Sequence, residues 1–168
     1  ARAEWEHWLA THPEDDRTSR RILKLRAIEA HGGEVLLLRA DVADAEQIGQ
    51  AVAQAATHFG QLHGVIHAAG LVGEQVSQFI SETRSSQAED LFHPKIHGLI
   101  ALERVLNGRT LDFGIVISSL ATVLGGLGAA AYAASNAFMD AFVQRQQDAA
   151  TQWISINWDA WNFTSTTT

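Results

Sequence analysis

The sequence predicts an α/β fold, in which parallel strands form a sheet that helices cover on both faces. Two observations predict this class, and the length of the chain is compatible with it. Short apolar runs, typical of buried strands, occur at several places along the chain. They alternate with longer segments that have the periodicity of helices, and this alternation favours parallel strands joined by right-handed crossovers. The chain has 168 residues, of which 46% are hydrophobic, so it is long enough for one hydrophobic core.

The first part of the chain is predicted to hold two helices and one strand. Thr18 is the predicted N-cap of a helix over residues 18–30, which a pair of glycines ends. The apolar run over residues 34–39 is short enough for a buried strand. An aspartate and a glutamine then have the spacing of a capping box, which predicts a helix over residues 44–59.

The second part continues the alternation of strands and helices. Apolar runs predict strands over residues 62–67, 113–117 and 153–158. A long helix is expected somewhere between residues 83 and 105, and another is expected over residues 132–148. A helical segment therefore separates each of these strands from the next.

Composition divides the chain into three segments. Residues 1–20 are predicted to be an acidic helical insertion or surface segment, because the polar residues from His12 to Arg17 cannot be buried cheaply. Residues 21–163 carry the alternating pattern and are predicted to form the domain itself. Residues 164–168 are serine and threonine only, and they are predicted to form a tail.

Charge and composition argue against several classes of protein. A formal charge of -7 without a basic stripe disfavours binding to nucleic acid. The absence of cysteine excludes disulfides and thiolate metal sites, and it favours a cytoplasmic protein. No apolar run approaches the roughly 20 residues that cross a membrane. His93 and His97 lie one helical turn apart, but two histidines without a third ligand are a weak zinc pattern, and no metal is predicted.

Polar residues and glycines follow the predicted strands at the points where the strands end. These positions are Asp41, the segment His67–Gly70, the pair Ser118–Ser119 and the segment Asn157–Asp159. Ligands of open parallel sheets bind at the carboxyl ends of the strands. The four positions are therefore expected to converge on one cleft.

A glycine-rich stretch before the last predicted helix has three possible interpretations. The pattern Gly126-x-Gly128-x-x-Ala131 matches the dinucleotide fingerprint, but that fingerprint needs its first glycine directly after the strand, and residues 118–124 intervene. The stretch could also be a purely structural connection. The third interpretation is catalytic, because Ser119 lies at a strand end and Tyr132 begins a helix. A phenol, whose pKa is about 10, needs a nearby cation to act as an acid at neutral pH.

These residues resemble the short-chain dehydrogenase/reductase superfamily and, more narrowly, the ketoreductase domain of modular type I polyketide synthases. Ser119 and Tyr132 have the family's serine-to-tyrosine spacing. Stand-alone members carry Tyr-x-x-x-Lys, whereas the synthase domains have an asparagine there and a lysine on the helix before the serine strand. This chain has Asn136 at the first position, and His93–Gly98 supplies Lys95 at the second. The resemblance extends over nearly all of residues 21–161.

The resemblance implies a Rossmann-like doubly wound parallel sheet that lacks the family's N-terminal glycine-loop unit, so the chain is interpreted as a ketoreductase domain truncated at both ends. It also implies NADPH-dependent reduction of a β-ketoacyl thioester to a β-hydroxyacyl thioester in polyketide biosynthesis. The implied partners are the acyl carrier protein domain that carries the β-ketoacyl chain and the neighbouring synthase domains. Two alternatives stay open: a non-catalytic, structural reductase-like fragment of a multidomain synthase, and a free-standing reductase, against which the relocated lysine argues. The isolated fragment is expected to be inactive.

The family's catalytic roles carry over to four residues. Tyr132 would be the general acid that protonates the carbonyl oxygen, and Ser119 would donate a second hydrogen bond to it. Lys95 would hold the nicotinamide ribose and favour the tyrosinate, and Asn136 would order a water molecule or the lysine. The implied cofactor-binding residues are Asp41, Val42, His67, Ala68, Ala69, Gly70, Lys95, Tyr132 and Trp158.

Two markers of alcohol configuration in the family are missing. The segment Leu71–Gln75 lacks the Leu-Asp-Asp element of one class, and Leu124 stands where the other class has a tryptophan. The sequence therefore leaves the configuration of the product open.

Overall fold

The computed structural model describes residues 2–71, 79–146 and 151–159. The chain separates into two compact units, one that ends at Leu38 and one that begins at Arg39. The domain boundaries expected from composition, after residues 20 and 163, stay predictions. The segments 72–75 and 164–168, which carry a configuration marker and the predicted tail, lie outside the described residues.

The unit that ends at Leu38 contains a 3₁₀ turn and two helices, which are Arg2–Glu4, α1 (Trp5–Thr11) and α2 (Arg17–Ala30). The predicted N-cap of α2, Thr18, is wrong. The carboxylate of Asp16 accepts hydrogen bonds from the backbone N–H groups of Thr18 and Ser19, at 2.8 and 3.0 Å. These are the second and third residues of the helix, whose amides an N-cap side chain satisfies, so Asp16 is the cap.

The predicted strand over residues 34–39 is also wrong. Residues 33–41 have no strand structure, and Leu37 is 52% exposed. A strand needs a neighbour that hydrogen-bonds to its backbone. Among the described residues, the sheet contains three other strands and none of them pairs with this run. An apolar run is therefore not sufficient for a strand when no partner lies beside it.

The unit that begins at Arg39 is a Rossmann-like parallel sheet with helices, as the sequence predicted. Its elements in chain order are α3 (Ala45–Phe59), β1 (Gly64–His67), α4 (Ser85–Phe92), a π-helix (His93–His97), α5 (Gly98–Leu106), β2 (Phe113–Ser119), α6 (Ala121–Leu124), α7 (Ala130–Arg145) and β3 (Trp153–Trp158). The strands lie in the order β1-β2-β3, and both pairs are parallel.

The register brings the carboxyl ends of the three strands to one edge of the sheet. The last residue of β1, His67, pairs with Val116 on β2. The last residue of β2, Ser119, pairs with Trp158 at the end of β3. Three of the four predicted strand ends therefore lie at one edge of the sheet, whereas the fourth position, Asp41, follows no strand.

The core lies between this sheet and two helices, α5 and α7. Its buried members are Leu99, Leu102, Leu106, Leu111, Val116, Met139 and Phe142. The rings of Phe142 and Trp153 meet edge to face, with centroids 5.2 Å apart. This packing fixes α7 against β2 and β3, so that the first turn of the helix is held near the carboxyl edge of the sheet.

The long helix expected between residues 83 and 105 is interrupted by one wide turn. The π-helix lies between α4 and α5, and Pro94 stands at its beginning. Proline has no backbone N–H and cannot continue the regular hydrogen-bond ladder. After this turn Gly98 packs closely, because a Cβ atom there would lie 3.0 Å from Val42 and 3.3 Å from the His67 ring. The residue that follows the π-helix therefore packs against the carboxyl edge of the sheet, next to His67.

Candidate active site

Three of the four predicted catalytic residues meet at the carboxyl edge of the sheet. The Lys95 ammonium, on the π-helix, donates a hydrogen bond to Asn136 Oδ1 at 3.0 Å and one to the Ile117 carbonyl at 3.4 Å. Its nitrogen lies 5.5 Å from the centroid of the Tyr132 ring. A positive charge at that distance from an aromatic face is attracted to the ring. The predicted cation therefore lies beside the tyrosine.

Asn136 orients the lysine from the opposite helix. It is fully buried on α7, one turn after Tyr132. Its Nδ2 donates to the Tyr132 backbone carbonyl at 2.7 Å, which leaves Oδ1 to accept from Lys95 at 3.0 Å. The amide thus bridges the π-helix and α7. Its nitrogen must face the Tyr132 carbonyl, which can only accept a hydrogen bond, and its oxygen must face the Lys95 ammonium, which can only donate one.

Ser119, the fourth predicted residue, is the last residue of β2 and is half-buried. Its Oγ accepts from the Ala121 N–H at 3.2 Å, so its own hydroxyl hydrogen remains to be donated. Its backbone carbonyl accepts from the Thr122 hydroxyl at 3.0 Å. The turn after β2 is therefore stabilised by hydrogen bonds of the Ser119 and Thr122 side chains.

The electrostatics of Lys95 follow from its burial. Only 6% of the residue is exposed, and this desolvation lowers the pKa of Lys95 to about 8, although the negative charge of Asp140 acts in the opposite direction. Burial disfavours the charged form of an amine because the protein interior solvates it less well than water does. At neutral pH the group is still mostly an ammonium ion.

His67, a predicted cofactor-binding residue, lies directly beneath the π-helix. It is 4% exposed, and burial, together with the charge of Lys95, lowers the pKa of His67 to about 4, against hydrogen bonds with the backbone of Lys95 and Pro94. The ring is therefore neutral. Its Nε2 is buried without a hydrogen-bond partner among the described residues. The imidazole thus faces the turn that bears Lys95, and its role in cofactor binding stays a prediction.

The segment after β1 passes close to the lysine. A Cβ atom on Gly70 would lie 3.1 Å from Lys95 Cε and 3.5 Å from Nζ. Real Cβ contacts are seldom that short, so the glycine leaves space that a side chain would fill. The predicted cofactor-binding segment therefore approaches the ammonium at Gly70.

Asp41 and Val42, predicted to bind the cofactor, lie against the π-helix and against Gly98, the residue that follows it. The two carboxylate oxygens of Asp41 are 3.1 and 3.2 Å from His93 Nε2. The pKa of Asp41 is lowered, first by the hydrogen bond from the Ala43 N–H and then by His93. Trp158, at the end of β3, is 37% exposed at the same edge as Ser119.

Asp140 was not predicted from the sequence as a site residue, and Asn157 was predicted only as part of a strand end at the cleft. Asn157 Nδ2 lies 2.9 Å from Asp140 Oδ2 and 3.2 Å from the Ser119 carbonyl. A signal for Asp140 was present, because it continues the four-residue spacing from Tyr132 to Asn136 and so shares their face of α7.

The histidines do not assemble a metal site in the described ranges. The His93 and His97 rings have centroids 6.2 Å apart, and they contact different carboxylates, those of Asp41 and Glu89. No group of three or more histidine or acidic side chains suited to a metal ion occurs among the described residues. No helix in the same ranges combines the length and hydropathy needed to cross a membrane.

A parallel sheet with serine, tyrosine and lysine side chains at its carboxyl edge defines a protein of the short-chain dehydrogenase/reductase superfamily, whose members are NAD(P)H-dependent oxidoreductases. The family model described as the KR domain matches residues 7–163. The chain belongs to this family of ketoreductase domains.

Known synthases are similar to this chain over most of its length. Polyketide synthase PksM of Bacillus subtilis (strain 168) is 33% identical over 150 residues, which are 89% of this chain and 3% of that protein. The 6-methylsalicylic acid synthase of Aspergillus terreus (strain NIH 2624 / FGSC A1156) is 33% identical over 138 residues, 82% of this chain and 8% of that protein. The chain thus spans less than a tenth of these relatives.

Solved ketoreductases have the same fold. An N-terminal ketoreductase from the macrolactin assembly line is similar with a TM-score of 0.78 and 30% identity, over 89% of this chain and 31% of that one. A ketoreductase domain from the bacillaene assembly line has a TM-score of 0.76 and 31% identity, over 87% of this chain and 35% of that one. The chain therefore corresponds to about a third of each solved chain.

Proposed function

We propose that this chain is the catalytic part of a ketoreductase domain that reduces a β-ketoacyl thioester to a β-hydroxyacyl thioester in polyketide biosynthesis. The observation that carries the proposal is the position of the Lys95 ammonium. It comes from a π-helix outside α7, lies 5.5 Å from the Tyr132 ring and is held at 3.0 Å by Asn136. The lysine comes from the π-helix and the other two groups come from α7, and together they lie beside the strand ends.

The reaction adds a hydride to the β-carbon and a proton to its oxygen. NADPH, when bound, supplies the hydride. Tyr132 donates the proton from its hydroxyl, and Ser119 donates a hydrogen bond that strengthens as negative charge develops on that oxygen. Lys95 binds the ribose hydroxyls and keeps positive charge beside the phenol. Asn136 holds the lysine in place and contacts neither substrate nor cofactor.

The cofactor and the partners follow from the family. Gly70, where a Cβ atom would crowd Lys95, is proposed to leave room for the nicotinamide ribose, and Asp41 and Val42 are proposed to contact the adenine. The substrate is proposed to arrive on an acyl carrier protein domain, and the chain is proposed to work beside other synthase domains in the cytoplasm. The similar proteins are synthases, which supports the proposed neighbouring domains. The chain has no cysteine and so forms no disulfide that would need an oxidising compartment, which is compatible with the cytoplasm.

The test uses the full-length protein with NADPH and a short β-ketoacyl thioester, and it follows the loss of NADPH absorbance. Tyr132→Phe should lower the rate by about 10²- to 10⁴-fold, the usual contribution of a positioned acid, while NADPH binding measured by fluorescence is retained. Equal rates for this variant and the wild type would show that the tyrosine is not the acid. A wild-type protein that neither binds NADPH nor reduces the thioester would favour the structural, non-catalytic role.

A further inference from the structure

A polar cluster behind the catalytic serine contains one carboxylate, that of Asp140 on α7. Asn157 Nδ2 donates to its Oδ2 at 2.9 Å, and Ser155 Oγ donates to its Oδ1. Ser155 and Asn157 are two residues apart on β3, so both side chains lie on the strand face that meets α7. The cluster therefore joins the last strand to the catalytic helix.

The same asparagine amide reaches the end of β2. Its Nδ2 lies 3.2 Å from the Ser119 carbonyl oxygen and 3.0 Å from Thr122 Oγ1. An ionised carboxylate can only accept hydrogen bonds, so Asp140 requires the NH₂ end of the Asn157 amide to face it. The rotated amide would present its oxygen to the Ser119 carbonyl and repel it. The Asp140 carboxylate and the Ser119 carbonyl therefore both select the NH₂ end of the amide, and the carboxylate strengthens that orientation.

Asp140 keeps its charge in this position. Partial burial raises the pKa of Asp140, but the four hydroxyl and amide donors around it outweigh that effect, and the pKa lies below its usual value. Hydrogen bonds to the charged form of an acid favour that form. The group is therefore a carboxylate across the neutral pH range.

The turn that follows Ser119 has little apolar packing of its own. The helix after it, α6, has only four residues. Val123 and Leu124 on that helix are 77% and 76% exposed, and Gly125 ends it with a φ of 69°. Hydrogen bonds, more than burial, must then fix the direction in which the serine points.

We infer that Asp140 is a positioning residue for the catalytic serine: through the Asn157 amide it fixes the end of β2 and so aims the Ser119 hydroxyl. This inference rests on the proposed function for its effect on the reaction. Displacements of about 1 Å in a catalytic group can lower rates by up to about 100-fold. Asp140 touches no reacting atom, and its effect on the serine is transmitted by Asn157.

The first test is a kinetic double-mutant cycle in the full-length protein. Asp140→Asn should lower kcat by about tenfold or more while KM changes less than about twofold, since the serine acts on the transition state. In a Ser119→Ala background, Asp140→Asn should lower kcat by less than about twofold, because no hydroxyl remains to be aimed. An equal loss in both backgrounds would mean that Asp140 acts through the fold or through the charge of Lys95, and would overturn the inference. Asp90→Asn, the same change on the exposed surface of α4, is the matched control.

The second test does not depend on activity. Hydrogen–deuterium exchange of the backbone amides at residues 119–125 should increase in Asp140→Asn and stay at the wild-type level in Asp90→Asn. Asn157→Ala, which removes the intermediary amide, should produce the same local increase, and it serves if Asp140→Asn fails to fold. Unchanged exchange in a folded variant overturns the inference even if the protein is an active reductase. Absence of reduction by the wild type, with increased exchange in the variant, refutes the proposed function and leaves the positioning contact established.

Discussion

The buried ammonium of Lys95 should lower the unfolding free energy of the domain. Replacement of Lys95 with methionine measures this effect. Burial lowers the pKa of Lys95 to about 8 from its ordinary value of 10.5. Each pKa unit corresponds to about 1.36 kcal/mol, so charging the lysine in the folded protein costs roughly 3 kcal/mol more than in the unfolded chain. Methionine has a similar length and carries no charge.

The pH dependence of this cost has a defined sign. Between pH values of about 8 and 10.5 the unfolded chain retains the proton and the folded protein has lost it. The unfolding free energy of the wild type should therefore rise with pH through that window, and below it the full cost is present. The variant has no such group, so the stability difference between the two proteins should change by roughly 3 kcal/mol from pH 7 to pH 11.

The assay is urea unfolding of the complete domain at a series of pH values, with Lys24→Met as the control. Lys24 lies on the exposed surface of α2, so its replacement should leave the pH dependence unchanged. Lys95→Met should also abolish reduction, because the positive charge beside Tyr132 is lost. A stability difference between wild type and Lys95→Met that is the same at pH 7 and pH 11 would refute the reasoning. It would mean that the ammonium is solvated in the folded domain.

Two further predictions concern neighbours of the lysine. Gly70→Ala should displace the ammonium, since the new Cβ would lie 3.1 Å from Lys95 Cε, and should lower kcat/KM by about tenfold in the NADPH assay. Gly49→Ala, whose Cβ would meet only Val105 at 3.9 Å, should leave the rate unchanged. Burial and then the charge of Lys95 lower the pKa of His67 from 6.5 to about 4. Between these pH values the ring is protonated in the unfolded chain and neutral in the folded protein, so the unfolding free energy should fall as pH decreases from 6.5 towards 4. His67→Gln should reduce that fall in acid unfolding followed by circular dichroism, and an unchanged slope would show that another group is responsible.

Local patterns predicted those elements whose formation depends on neighbouring residues in the sequence. The helix α3 begins after Asp44, which caps it through the N–H groups of Glu46 and Gln47, and β3 has the bounds that its apolar run predicted. At α2 two residues with capping side chains, Asp16 and Thr18, stand close together. Which of them caps the helix is decided by the direction of one carboxylate, and the residue types alone do not specify that direction.

Features that depend on residues far away in the sequence could not be predicted from local patterns. The run over residues 34–39 is apolar enough for a strand, but whether it forms one depends on a neighbouring backbone that the run itself does not encode. The π-helix adds one residue to a turn, which the periodicity of about 3.6 residues does not reveal. Asp140 has the right spacing from Asn136, but its importance appears only when β3 brings Asn157 beside it.

The placement of the lysine explains why two helices are needed for one site. A lysine on α7 in place of Asn136 would come from the same helix as Tyr132, and its position would depend on that helix alone. Here the ammonium comes from the π-helix, and Asn136 fixes it from α7, so the distance between cation and phenol depends on the packing of two helices across the sheet edge. The face of α7 that bears Tyr132 and Asn136 continues to Asp140, which contacts the end of β3 and, through it, the serine. One helix therefore positions both the proposed proton donor and the residue proposed to support the developing negative charge, and a small shift of α7 should affect both groups together.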